Sequence, residues 1–209
     1  MSIDDSDRSD AAPELAAIEF LSPGRFEIDN PPAIQPPTEP WQAAPFVLGE
    51  TPGIQRFETA DGARRHALTL LGQAQRSLSL YSPDFEPLLY NHSSIQQACL
   101  RFLLAHPRNR LRVLLDDSSR AVKNGHRLLG LARRLSSNME IRKCHPDHPT
   151  QLAAFVIADN CGALVRPTPD QPNGYALYSD PGRARQLLRQ FDTAWDHSLS
   201  DPDLRSFLI

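Results

Sequence analysis

The chain has 209 residues, 40% of them hydrophobic and 22% charged, the balance of one water-soluble globular domain with room for a tail. A formal charge of -3 and a pI near 6.1 exclude a general electrostatic pull towards nucleic acid or anionic membrane. No apolar run approaches the roughly 20 residues needed to span a bilayer, and the acidic start Met1-Ser-Ile-Asp-Asp-Ser-Asp offers no signal-peptide core.

In chain order, residues 1–45 read as a Pro-rich acidic tail. Pro31-Pro-Ala-Ile-Gln-Pro-Pro-Thr-Glu-Pro40 removes backbone donors, and Asp4, Asp5, Asp7 and Asp10 add like charge, so this stretch is expected to be disordered. A domain is expected over 53–198, with 199–209 as a C-terminal extension. Gly53-Ile-Gln-Arg-Phe-Glu-Thr predicts a short edge strand. From Thr59 to Gly72 the spacing of Ala63, Ala67, Leu70 and Leu71 predicts a helix. Ser77-Leu-Ser-Leu-Tyr-Ser alternates as a strand, and Pro83-Asp-Phe-Glu-Pro ends it. Ser93–Leu104 reads as a second helix, with Asn91, Ser93 or Ser94 as its cap. Arg110-Leu-Arg-Val-Leu-Leu-Asp-Asp117 is a buried strand, Ser119–Leu135 a third helix, and Met139-Glu-Ile-Arg-Lys a short strand. Gly125 and Gly130 weaken that third helix, and allow close packing or mark a break. Two strands, Ala153–Ala158 and Ala163–Arg166, are joinable as a hairpin by Asp159-Asn-Cys-Gly162. Gly174-Tyr-Ala-Leu-Tyr-Ser is another strand, and Pro181 opens a last helix running to about His197.

The predicted order, β-α-β-α-β-α-β and then β-β-β-α, makes an α/β fold with a mixed sheet flanked by helices. The order resembles one half of the phospholipase D superfamily, over roughly 53–198. Arg110-Leu-Arg-Val-Leu-Leu-Asp-Asp is similar to that family's second core strand, Phe155-Val-Ile-Ala-Asp-Asn-Cys-Gly-Ala-Leu-Val to its strand-Asp-turn-strand unit, and Gln190-Phe-Asp-Thr-Ala-Trp-Asp-His-Ser to its closing helix. The resemblance implies a signature H-x-K-x4-D-x6-G-S-x-x-N, in which the His attacks phosphorus and the Lys binds the phosphate oxygens. Here Leu152 stands in the His slot and Ala154 in the Lys slot, and only Asp159 is kept. Arg166, Pro167 and Asp170 stand in the slots of Gly, Ser and Asn. Leu and Ala supply neither nucleophile nor positive clamp, so the resemblance is to a half-domain that has lost its chemistry. Asp159 reads as structural, capping its own turn.

Other residues carry weaker signals. Arg120, Lys123, Arg127 and Arg134 fall on one side of a continuous third helix and form a possible anion-binding stripe. The negative overall charge and the lack of interleaved aromatics favour a solvated face instead, so nucleic acid is not an expected partner. Cys144, His145, Asp147 and His148 are the densest potential metal ligands, but their spacing matches no familiar zinc site and no metal or other cofactor is expected. Asp116 and Asp117 end one predicted strand, and Asp84 and Glu86 follow another. Parallel neighbours would gather them into a cation site, or each would cap the helix that follows. Cys99, Cys144 and Cys161 are scattered and odd in number, which suits a reducing cytoplasm.

The first functional expectation is a non-catalytic binding or assembly module of the bacterial cytoplasm, without a membrane partner. The resemblance implies that two halves pair about a two-fold axis, so a homodimer is expected. It also implies a protein partner, with an acetyltransferase of the GNAT class as one candidate. The chain lacks the Gly-containing pyrophosphate loop of such an enzyme itself. The rival expectation is a metal-dependent hydrolase or nuclease rewired around Asp84, Asp116 and Asp117.

Overall fold

The computed structural model describes residues 39–146, 153–201 and Leu204. The elements are β1 (Ile54–Phe57), α1 (Ala60–Gln73), β2 (Ser77–Ser82), α2 (Pro87–Tyr90), α3 (Ser93–Ala105), β3 (Arg110–Leu115), α4 (Ser119–Lys123), α5 (Arg127–Arg134), β4 (Met139–Lys143), β5 (Ala154–Ala158), β6 (Gly162–Arg166), β7 (Gly174–Leu177) and α6 (Pro181–Asp196). Among the described residues the strands form one sheet in the order β1-β7-β6-β5-β2-β3-β4. β2, β3 and β4 run parallel, linked through helices, while β5, β6, β7 and β1 pair antiparallel. The two halves meet where β2 pairs antiparallel with β5. This is the expected α/β fold with a mixed, helix-flanked sheet.

Alternation along the strands sends side chains to two cores. Leu78, Leu80, Leu111, Val113, Val156, Ala158 and Leu164 pack under α1, α3 and α5. Tyr81, Leu114, Phe155, Ile157 and Val165 pack under α6. β5 and β6 are buried along their whole length because both faces are covered. In α1 the predicted stripe of Ala63, Ala67, Leu70 and Leu71 is buried, and Thr59 caps the helix by accepting from the Gly62 N–H at 3.1 Å. Each fully buried leucine there contributes on the order of 2 kcal/mol relative to exposure.

The structure departs from the sequence reading in several places. The third helix is two helices. Gly125, at φ +64, turns the chain between α4 and α5, and His126 then caps α5 by accepting from the Leu128 N–H at 3.2 Å. The cap of α3 is also a histidine: His92 Nδ1 accepts from Ser94 N–H at 3.2 Å, in place of the expected Asn91, Ser93 or Ser94. α2 is an added single turn, opened by Pro87 at a position where proline's missing N–H costs nothing.

The domain also starts before residue 53. Residues 1–38 of the expected tail lie outside the described residues, but its last part packs as a strap along α1. The Trp41 N–H donates to Ser94 Oγ at 3.0 Å, and the indole stacks on His92 with ring centres 4.0 Å apart. The Ala44 N–H donates to Thr69 Oγ1 at 2.7 Å, and Gln73 both accepts from Leu48 N–H and donates to Phe46 O. Gly162 makes room for this strap: a Cβ there would collide with Leu48 and press on Leu70. In the C-terminal extension, Leu199 pairs with Lys143 beside β4 and Leu204 is buried.

The outer half of the α6 face, over β3 and β4, is roofed by arginines. The Arg112 guanidinium lies over Phe191 and Trp195 and pairs with Asp192 at 2.8 Å, while that of Arg142 lies over Trp195 at 4.5 Å. Their alkyl stems cover apolar surface while the charged heads stay hydrated.

A chain beginning at residue 53 is expected to melt at least about 2 °C below one beginning at residue 39, because the strap's buried hydrogen bonds are worth more than about 1 kcal/mol. Equal melting curves from scanning calorimetry would show that the strap does not stabilise the domain.

Candidate functional site

The antiparallel β5 begins where the parallel β2 ends, since Tyr81 pairs with Phe155. The sheet edge beyond Ser82 therefore gathers the β2–α2 corner, the start of β5 and the end of β6. A cleft of about 560 Å³ opens there, between α1, the β2–α2 corner and the loop after β6. Its walls are mainly apolar, with Ala60, Ala63, Pro87, Leu89, Pro169 and Pro172 among them.

Of the signature positions, Leu152 lies outside the described residues. Ala154 is buried and pairs directly across the hairpin with Arg166. Directly opposed residues point to the same sheet face with Cβ atoms about 5 Å apart. Arg166 thus stands beside the slot that would hold the signature lysine. Its guanidinium is not free. It forms an ion pair with Glu86 and donates to the carbonyls of Pro169 and Gln171, the latter at 2.7 Å. Glu86 also accepts from Ser82 Oγ at 3.0 Å. Burial draws the Arg166 pKa down from its ordinary value, while Asp170 and Asp84 nearby oppose that change. Pro167 and Asp170 are exposed on the loop that Arg166 ties down.

The β2–α2 corner that carries Glu86 is conformationally costly. Phe85 and Glu86 both have positive φ, +67 and +35, which is uncommon for residues with a Cβ. Three contacts hold them there. The Glu86 N–H donates to Asp84 Oδ1 at 2.9 Å. The Pro83 carbonyl accepts from the Asp116 and Asp117 N–H groups at 3.1 and 2.8 Å. The Phe85 ring stacks on His126, with centres 4.1 Å apart and planes within 5°.

Asp159 lies at the opposite end of β5. It and Asn160 have φ +51 and +58, as a type I′ hairpin turn requires. Its carboxylate does not cap its own turn. It accepts from Gln75 N–H and Arg76 N–H, each at 2.7 Å, and from Ser77 N–H at 3.0 Å, and so anchors the loop between α1 and β2.

Of the two readings of these acids, the carboxylate cluster does not form among the described residues, although β2 and β3 are indeed adjacent and parallel. Each acid meets a separate donor instead. Asp84 Oδ2 pairs with Arg120 at 2.9 Å, Asp116 accepts from Tyr81 OH at 2.7 Å on the other side of the sheet, and Asp117 accepts from Ser119 N–H and Oγ–H ahead of α4. The Ser119 bonds hold the Asp117 carboxyl below the usual range. The cationic stripe is not continuous either. Arg120 and Lys123 sit on α4, Arg127 and Arg134 on α5, and the Gly125 turn breaks the 100° periodicity that would align them. Among the metal candidates, Cys144 is buried and His145 half-buried, while Asp147 and His148 lie outside the described residues. No group of three or more His, Cys, Asp or Glu converges among the described residues.

Sequence reading missed the Glu86–Arg166 pair and the His126–Phe85 stack. Counting outward from the hairpin turn was the available signal for Arg166. Nothing local marked Glu86 as its partner.

The chain belongs to the family defined by the domain of unknown function DUF7931, which matches residues 59–207. No curated protein matches its sequence. Among solved structures it is similar to Nuc, a phospholipase D family member from Salmonella typhimurium, with a TM-score of 0.51 and 17% identity over 71% of this chain and 97% of that one. It is likewise similar to NucT from Helicobacter pylori, with a TM-score of 0.50 and 7% identity over 71% and 99% of the two chains. TrmBL2, an archaeal chromatin protein described with a novel mode of DNA binding, gives a TM-score of 0.52 and 11% identity over 73% of this chain and 55% of that one. The fold is phospholipase D-like, as the sequence resemblance implied. No helix among the described residues is long and apolar enough to cross a membrane.

Two predictions follow from this geometry. Asp159→Ala leaves three backbone donors without their acceptor and is expected to cost about 2 kcal/mol, with Asp159→Asn costing less, measured by urea denaturation. Equal stability of wild type and Asp159→Ala would contradict the anchoring role. The second concerns pH. Burial, the largest cause, pushes the His126 pKa down from 6.5 to about 4. Between those values the unfolded chain holds a proton that the folded one does not, so stability falls as pH drops from 6.5 towards 4. One such group sets a slope of up to about 1.4 kcal/mol per pH unit. His126→Asn, which keeps a cap acceptor, is expected to flatten that slope in denaturation curves recorded between pH 7 and 5. His66, also lowered by burial, contributes in the same direction and leaves a residual slope.

Proposed function

Taking family membership and a phospholipase D-like fold as premises, we propose that the chain is a non-catalytic member of that fold which binds a ligand or partner in the remnant of the active-site groove. One observation carries the reading. The cation standing beside the lysine slot, Arg166, is held by Glu86 and two carbonyls, and the residue in the slot itself is Ala154. Phosphoryl transfer by the signature's route needs a nucleophile and a free positive clamp. The described lining of the cleft includes no His, Cys, Ser or Lys.

The rewired metal-dependent hydrolase has no support in the dispersal of Asp84, Asp116 and Asp117 over separate partners. The expected partners, a second copy of the chain and an acetyltransferase of the GNAT class, rest on the resemblance alone, as does a bacterial cytoplasmic location.

The test is an assay with bis-p-nitrophenyl phosphate, phosphatidylcholine vesicles and single-stranded DNA, with and without Mg²⁺ or Zn²⁺. Turnover at the level of buffer alone is expected throughout. Turnover that disappears on Arg166→Ala or Asp84→Asn, with the fold intact by circular dichroism, would overturn the reading.

A further inference from the structure

The polarity of the remnant cleft is opposite to what a phosphate site needs. Its charged lining is Asp84, Glu86, Asp170, Arg120 and Arg166, an excess of one negative charge. Both arginines are already neutralised, Arg166 by Glu86 and Arg120 by Asp84 at 2.9 Å. Asp170 has no ion pair among the described residues and is exposed at the mouth, in the signature slot where the family's pattern has a neutral Asn. An incoming phosphate would have to break two ion pairs and approach the Asp170 carboxylate, whereas a cation meets that exposed carboxylate without breaking a direct ion pair.

Two further features describe the rest of the ligand. The walls are apolar and proline-rich, so they take a hydrophobic body, and the volume of about 560 Å³ suits a small organic molecule or a short side-chain assembly. The Arg166 side chain is about nine-tenths buried and closes this wall, with its Nε shut off from the cleft, so it offers the ligand no free donor.

Resting on the reading that this groove binds rather than catalyses, we propose that it takes an organic cation: an apolar body with an amine or guanidinium directed to Asp170. The same chemistry is available from a free amino-acid derivative or from an Arg or Lys side chain of a peptide.

Isothermal titration of the full chain tests this with three probes: benzoyl-arginine amide, its glutamate counterpart and inorganic phosphate. The arginine probe is expected to bind, the glutamate probe to bind at least about fivefold more weakly, and phosphate neither to bind nor to compete. Asp170→Asn is expected to weaken the arginine probe about two- to fivefold, as for an exposed charge pair. Arg120→Gln, which releases Asp84, is expected to strengthen it. A Leu-Pro-Arg-Pro-Leu peptide that binds about tenfold tighter than the amide assigns the ligand to a chain segment, and equal affinity assigns it to a small molecule. Absence of binding up to about 10 mM, preference for glutamate or phosphate, or affinity indifferent to Asp170→Asn would overturn the proposal. Each of those results is separate from phosphodiester turnover, which would overturn the non-catalytic reading instead.

Discussion

The seam between β2 and β5 is where a parallel half-sheet is joined to an antiparallel one, and it is held at one end by a single carboxylate. Asp159 gathers the N–H groups of Gln75, Arg76 and Ser77, while its own N–H donates to Ser77 O. A one-residue slip here would turn the side chains of β5 from one core to the other, because strand side chains alternate. Val156 would leave the α1 side and Phe155 the α6 side. Both cores and the position of the cleft therefore depend on this register.

The other end of the same hairpin carries the consequence for chemistry. With the register fixed, Ala154 and Arg166 must stand side by side, and the long side chain of Arg166 reaches the corner where Glu86 waits. A buried ion pair of this kind gains less than its Coulomb energy suggests, since both ions lose hydration. Breaking it on one side leaves an uncompensated charge. Arg166 is thus committed to structure: it fixes the loop of Pro169 and Gln171 and gives the cleft its far wall.

The corner itself couples distant parts of the chain. Phe85 and Glu86 keep an unfavourable backbone because Asp84, the Pro83 carbonyl and the His126 ring restrain them. His126 is at the same time the cap of α5, so the break between α4 and α5 is tied to the shape of the cleft. A continuous helix over 119–135 would have no residue placed to do this.

The sequence by itself determined the elements and their order. Strand alternation in Ser77–Ser82 and Arg110–Leu115, the helical stripe of Ala63, Ala67, Leu70 and Leu71, and the turn residues Asp159 and Asn160 are local patterns, and local sterics and hydrophobic periodicity decide them. The loss of the lysine at position 154 was legible for the same reason, since a motif is a spacing along the chain. The neighbour of Ala154 depends on the loop length: Ala158 pairs with Gly162, so Asp159, Asn160 and Cys161 lie between the strands, and that register sets Ala154 opposite Arg166. Tertiary structure decided which donor the distant acids meet. The parallel pairing of β2 with β3 brings Asp84 to the sheet edge of Asp116 and Asp117, yet Asp84 turns to Arg120 and Asp116 to Tyr81, while Asp117 meets its local neighbour Ser119. Glu86 finds Arg166 eighty residues on, and Asp159 finds a loop more than eighty residues back. Charges and hydrogen bonds are satisfied by whatever lies within about 3 Å in space, and that distance is set by the packing of the sheet rather than by the order of the residues.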